Sequence, residues 1–164
     1  MPVGRSGIGK VGLLKLPMTQ RIIKVASDPG SAHNPSLGGL LTMSDKRLLI
    51  VDDEADFGDF IRRVATDLGY EVRATTNGVD FQKSYAGFQP TLIILDMVIP
   101  DIDGNELLLW LLAQGYTAEL IITTGFNPDY AREAKILAEF KGLKKVTIMV
   151  KPVALARLRA ALGG

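Results

Sequence analysis

The chain has 164 residues, 47% of them hydrophobic and 23% charged, enough to bury a core in one ordinary domain plus a tail. It holds no cysteine and one histidine, His33, which excludes disulfide frameworks, zinc fingers, iron–sulfur clusters, thiol nucleophiles and His-rich metal sites. A net charge of +1 and the absence of any apolar run of ~18 residues argue against direct nucleic-acid binding and membrane insertion.

Charge is unevenly spread. Residues 1–43 carry +4 and residues 44–164 carry −3, and the first stretch holds 7 of the 17 glycines and 4 of the 8 prolines. Pro17 interrupts its one amphipathic run, and Asp28-Pro29-Gly30-Ser31 and Asn34-Pro35-Ser36 read as loop. The composition predicts a flexible, loop-rich N-terminal extension over 1–44 and a single domain over 45–164, with Met43 as an alternative start. Two phosphate-loop patterns in the extension fail on context. Gly7-Ile8-Gly9-Lys10-Val11-Gly12 has too few residues before it for a buried strand, and the Gly4–Lys10 pattern is followed by Val11 where a hydroxyl should hold magnesium. His33 has no second ligand nearby and reads as solvated.

From residue 46 onward, short apolar runs alternate with helical patterns. Leu48-Leu49-Ile50-Val51 is a strand ending in Asp52, Asp53 and Glu54. Phe57, Phe60 or Ile61, Val64 and Leu68 recur at helical spacing, and Gly69 closes that helix. A short alternating strand at 70–74 precedes a helix at 78–87. Leu92-Ile93-Ile94-Leu95 ends in Asp96, and Leu107, Leu108, Leu111 and Leu112 mark the helix after Gly104. Leu120-Ile121-Ile122 leads to Thr123-Thr124-Gly125, and Pro128 opens a helix through Phe140. Val146–Val150 ends in Lys151, and Pro152 is expected in the first turn of a final helix striped by Val153, Leu155, Leu158 and Leu162. Runs without alternation suit strands buried on both faces, so five β-α units predict an α/β, doubly wound parallel sheet with right-handed crossovers.

Such sheets bind ligands at the carboxyl ends of their strands. Those ends carry Asp52, Asp53, Asp96, Thr124 and Lys151. If the first and third strands are neighbours, the three aspartates converge and need a cation. All-oxygen ligation favours magnesium, manganese or calcium. A metal, a lysine and a hydroxyl around one carboxylate make a phosphoryl pocket in which the carboxylate attacks in line and becomes an aspartyl phosphate. Asp101-Ile102-Asp103-Gly104 imitates part of a calcium loop, but Ile99 and Trp110 would fall at its first and last ligand positions.

Four stretches carry a resemblance. Leu-Leu-Ile-Val-Asp-Asp-Glu at 48–54, Leu-Ile-Ile-Leu-Asp-Met-Val-Ile-Pro-Asp-Ile-Asp-Gly at 92–104, Ile-Ile-Thr-Thr-Gly at 121–125 and Val-Lys-Pro at 150–152 resemble the receiver domain of bacterial two-component response regulators, the CheY-like fold. The resemblance implies a five-stranded, flavodoxin-like sheet in the order 2-1-3-4-5. It implies Asp96 as phospho-acceptor, Thr124 as switch hydroxyl and Lys151 as the lysine paired with the phosphoryl group, across a Lys151–Pro152 bond that is often cis. Asp52, Asp53, Asp96 and the backbone carbonyl of Val98 are implied as the ligands of Mg2+.

As partners the resemblance implies a sensor histidine kinase or histidine phosphotransfer protein, and a downstream protein on the face of the fourth helix, fifth strand and fifth helix. It implies a cytoplasmic monomer or weak dimer that promotes its own magnesium-dependent phosphorylation and dephosphorylation and is otherwise no enzyme. Since the chain ends at Gly164, the expectation is a stand-alone receiver. The residues expected on the output face, Tyr130, Arg132, Lys144, Lys145, Arg157 and Arg159, read as an ordinary solvated surface. Two departures stand out. Ile148 replaces the family's switch aromatic, which argues mildly for the alternative of a phosphorylation-independent interaction module, while the intact Asp96, Thr124 and Lys151 argue against it. Val98 and Phe126 flank the pocket with apolar side chains that cannot orient a water, so slow self-dephosphorylation is expected. A magnesium phosphatase with an aspartyl nucleophile ranks last, because Val98 stands where a second acid is needed.

Overall fold

In a computed structural model the described residues are 45–163, without Phe126. The extension at 1–44, with its glycine patterns and His33, lies outside them, as does the expected pocket-flanking role of Phe126. Five strands and five helices alternate: β1 Arg47–Val51, α1 Ala55–Asp67, β2 Glu71–Thr75, α2 Gly78–Phe88, β3 Leu92–Asp96, α3 Gly104–Ala113, β4 Glu119–Thr124, α4 Pro128–Phe140, β5 Val146–Val150 and α5 Leu155–Gly163. All strand pairings are parallel, and the sheet order is β2-β1-β3-β4-β5.

The unbroken apolar runs follow from helices on both faces. Leu49, Val51, Ile93 and Leu95 point into a core with Phe81, Leu107, Leu108, Leu111 and the small residues Ala131, Ala134 and Ala138, from α2, α3 and α4. Their neighbours Leu48, Ile50, Leu92 and Ile94 point the other way, against Ile61, Val64, Leu158 and Leu162 of α1 and α5. Successive strand residues alternate faces, so a strand covered on both has no polar position to spare. The edge strands β2 and β5 are more exposed, and β2, Glu71–Thr75, alternates polar and apolar residues accordingly.

Local chemistry ends the helices. Gly69 takes φ +84° after α1, while Tyr70 N donates to Ala65 O at 3.0 Å and Gly69 N to Thr66 O at 3.0 Å. These bonds satisfy the last carbonyls in a left-handed glycine cap. Gly104 is required by proximity: a Cβ there would stand 2.6 Å from Met97 Cα, so the start of α3 can press against the loop that follows Asp96 only without a side chain. One boundary differs from expectation. Pro152 is not in the first turn of α5. The Lys151–Pro152 peptide is cis, the chain runs on through Val153, and α5 begins at Leu155 with Leu158 N donating to Ala154 O at 3.0 Å.

Candidate functional site: a carboxylate cluster around Lys151

The parallel register sets the site. Val51 pairs with Leu95, Asp96 with Thr123, and Thr124 with Val150. The residues that follow β1 and β5 and those that end β3 and β4 therefore emerge at one level of the sheet. Asp52 and Asp96 are almost fully buried there. Lys151 reaches across from β5, its backbone tied to β4 by Lys151 N donating to Thr124 O at 2.8 Å. Its Nζ donates to Asp96 Oδ2 at 2.7 Å, to Asp52 Oδ1 at 3.0 Å and to Glu54 Oε1 at 2.8 Å. An ammonium has three protons, and each meets a carboxylate.

Two backbone amides orient the aspartates. Glu54 N donates to Asp52 Oδ1 at 3.1 Å, and Val98 N donates to Asp96 Oδ1 at 3.0 Å. Asp52 Oδ2 is buried and 2.9 Å from Lys151 Nζ, an ion-pair distance, yet no hydrogen bond points at it. Burial pushes the Asp52 carboxyl up to about 6, against the pull of Lys151 and with the help of Asp96. Burial alone would lower Lys151, but its carboxylate partners outweigh it and hold the ammonium above the ordinary lysine value.

The structure brings Asp52, Asp96 and Lys151 into contact. Asp53 is exposed and lines an open depression of about 430 Å3 together with Glu54, Asp96, Val98, Gly125 and Lys151. Thr124 does not line it. Its buried hydroxyl accepts from Asn127 N at 3.3 Å and donates to Asn127 O at 3.4 Å, facing the start of α4. Asn127 in turn caps α4, its side chain accepting from Asp129 N and Tyr130 N. The residue missed from the sequence is Glu54, whose oxygen lies within 4.8 Å of ligand atoms on Asp52 and Asp96. Its place in an acidic run at a strand end was visible, but its direction was not.

This donor set fits a hard divalent cation. The oxygens are carboxylates, one is buried and lacks a directed hydrogen bond, and the negative charge of Asp52, Asp53, Glu54 and Asp96 exceeds what one ammonium neutralises. Among the described residues no helix is long and apolar enough to cross a membrane.

A model of the response regulator receiver domain matches residues 48–163. Sporulation initiation phosphotransferase F of Bacillus subtilis is 28% identical over 120 residues, covering 73% of this chain and 93% of that protein. Chemotaxis protein CheY of Listeria monocytogenes is 32% identical over 82 residues, 49% of this chain and 69% of that one. The transcriptional regulatory protein GltR of Pseudomonas aeruginosa is 28% identical over 71 residues, 43% of this chain, and the chain covers only 29% of that regulator's length. A solved response regulator from Colwellia psychrerythraea superposes with a TM-score of 0.61 at 28% identity, covering 71% of this chain and 93% of that one. A CheY-like receiver domain from Methanospirillum hungatei gives 0.60 at 25% identity, covering 71% and 90%. Sheet order, buried acids and family match agree: this chain belongs to the receiver domains of two-component response regulators.

Proposed function

We propose that this receiver takes a phosphoryl group onto Asp96 from the phosphohistidine of a sensor kinase or phosphotransfer protein, with Mg2+ at the acidic cluster. The observation that carries the reading is Lys151 Nζ at 2.7 Å from Asp96 Oδ2, with both Asp96 and its neighbour Asp52 almost fully buried. In the step, an Asp96 oxygen bonds to phosphorus as the bond from phosphorus to the donor imidazole nitrogen breaks, and that nitrogen regains a proton. Asp52, Asp53, Asp96 and the Val98 carbonyl would hold the metal, which supplies positive charge for the phosphoryl oxygens. Lys151 offers a second positive charge from the opposite side. Burial of Asp96 and most of Lys151 keeps the lysine contact in a setting of lowered dielectric, where it is stronger than in water.

Output is proposed to begin at Thr124. Its hydroxyl has two long bonds to Asn127, 3.3 and 3.4 Å, and is therefore weakly held. Recruiting it to the phosphoryl group would release Asn127 and shift the capped end of α4. That helix borders β5, so the change reaches the face of α4, β5 and α5, where a downstream protein would bind. The test is intact mass after incubation with acetyl phosphate, with and without Mg2+, beside Asp96→Asn. The account expects one added phosphoryl group in the wild type with Mg2+ alone. A gain in Asp96→Asn, or none in the wild type, contradicts it.

A further inference from the structure

The first turn of α1 grips Lys151 from two sides. Glu54 Oε1 accepts from Nζ at 2.8 Å, and the Phe57 ring faces the same ammonium with its centroid 4.7 Å away. Residues three apart at a helix start share a face, so one turn presents both groups to one target. Folding of α1 does not explain Glu54. It occupies the N-cap position, where a carboxylate ordinarily bonds the unpaired N–H groups of the first turn, yet its side chain makes no cap bond. Its side chain is 63% exposed while that of Lys151 is 12% exposed. The carboxylate thus leaves the solvated helix end to take the one lysine proton that Asp52 and Asp96 leave over.

We infer that Glu54 and Phe57 are positioning residues for Lys151, holding its ammonium over Asp96 before the phosphoryl group arrives. This rests on the reading of Asp96 as the acceptor. A lysine head on a four-carbon stem loses conformational freedom when it meets a phosphoryl oxygen. A head already fixed pays that cost on folding, not in the reaction. When phosphorus bonds to Asp96, the Asp96 contact is the one that must change. The contacts to Glu54 and Phe57 lie on the α1 side and keep Nζ at the pocket.

The experiment compares Glu54→Ala, Glu54→Gln and Phe57→Leu with wild type and with Asp56→Ala, an exposed acid of the same turn. The first readout needs neither donor nor metal: acylation of the Lys151 amine by acetic anhydride, quantified on its peptide. For a half-exposed pair and one ring contact, Glu54→Ala and Phe57→Leu should each raise labelling about threefold to fivefold. Glu54→Gln, which keeps an acceptor without the charge, should fall between wild type and Glu54→Ala. Asp56→Ala should match wild type. The second readout is the rate of phosphorylation by acetyl phosphate, which should drop by a similar factor at saturating donor while the Mg2+ concentration for half-maximal rate stays unchanged. Unaltered labelling in Glu54→Ala and Phe57→Leu overturns the inference. So does a Glu54 effect confined to the Mg2+ requirement, which would make Glu54 a metal ligand. If the wild type takes no phosphoryl group, the acceptor reading falls, and the labelling still decides whether Glu54 and Phe57 hold Lys151.

Discussion

Asp52 is the residue whose environment has the most direct consequence. Its pKa is raised from 3.8 to about 6 because burial penalises its charge. The folded protein therefore binds that proton more tightly than the unfolded chain. The stability from this group is fully present below about pH 4 and is lost as pH rises through about 6. In metal-free protein, denaturant titrations should show this group's contribution falling by on the order of 1–3 kcal/mol between pH 4 and 7. Asp52→Asn should flatten that slope, and an unchanged slope would exclude Asp52 as its source. A metal ion needs the ionised carboxylate, so the rise in melting temperature on adding Mg2+ should shrink as pH drops through about 6. Val98 sits beside the same depression with an exposed apolar side chain. It cannot hold a water for attack on an acyl phosphate, so the phosphoryl group should be long-lived. Val98→Asn should shorten its lifetime by about tenfold or more, read as decay of the phosphorylated mass. No change would show that water positioning is set elsewhere.

At the scale of elements, α4 is fastened at its start to α3 as well as to Thr124. The Tyr130 hydroxyl donates to Asp103 Oδ2 at 2.6 Å, and Asp103 is both the N-cap of α3 and the bridge partner of Val98. A chain of contacts thus runs from Asp96 through Val98 and Asp103 to α4, without an aromatic side chain at 148. Tyr130→Phe should cost about 1 kcal/mol in urea unfolding and raise amide exchange at the start of α4. Normal exchange there would mean the bond does not hold the helix. The elements were largely legible in the sequence, because covering both faces of a sheet forces uninterrupted runs such as Leu92–Leu95, and helix ends need residues such as Gly69 and Pro128. What was not legible depends on geometry across the chain. A proline after a strand fits either a helix turn or a cis connection, so Pro152 does not by itself mark where α5 begins. In the sequence Glu54 is one more loop acid, because only the folded position of Lys151 gives it a partner. The direction of the Thr124 hydroxyl depends on Asn127, three residues away.

At the scale of the whole molecule, basic residues expected on the output face meet acids close by. Arg132 pairs with Asp129, Lys145 with Glu119 and Arg159 with Asp67, so three of the basic residues expected on the output face are offset by acids of the same chain. Arg159 turns toward α1, away from α4. The extension adds positive charge, and the acids, threonine and lysine named at the site all lie between residues 52 and 151. A protein starting at Met43 should therefore keep Mg2+-dependent phosphorylation, and its loss would give residues 1–42 a part in the chemistry. The central claim concerns one bond, between phosphorus and an oxygen of Asp96. Borohydride reduction of the phosphorylated protein, followed by peptide sequencing by mass spectrometry, locates it, because an acyl phosphate is reduced to the alcohol while a phosphorylated hydroxyl is not. The account predicts homoserine at position 96 and nowhere else. Phosphate retained on Thr124, or reduction at Asp52 or Asp53, would contradict it.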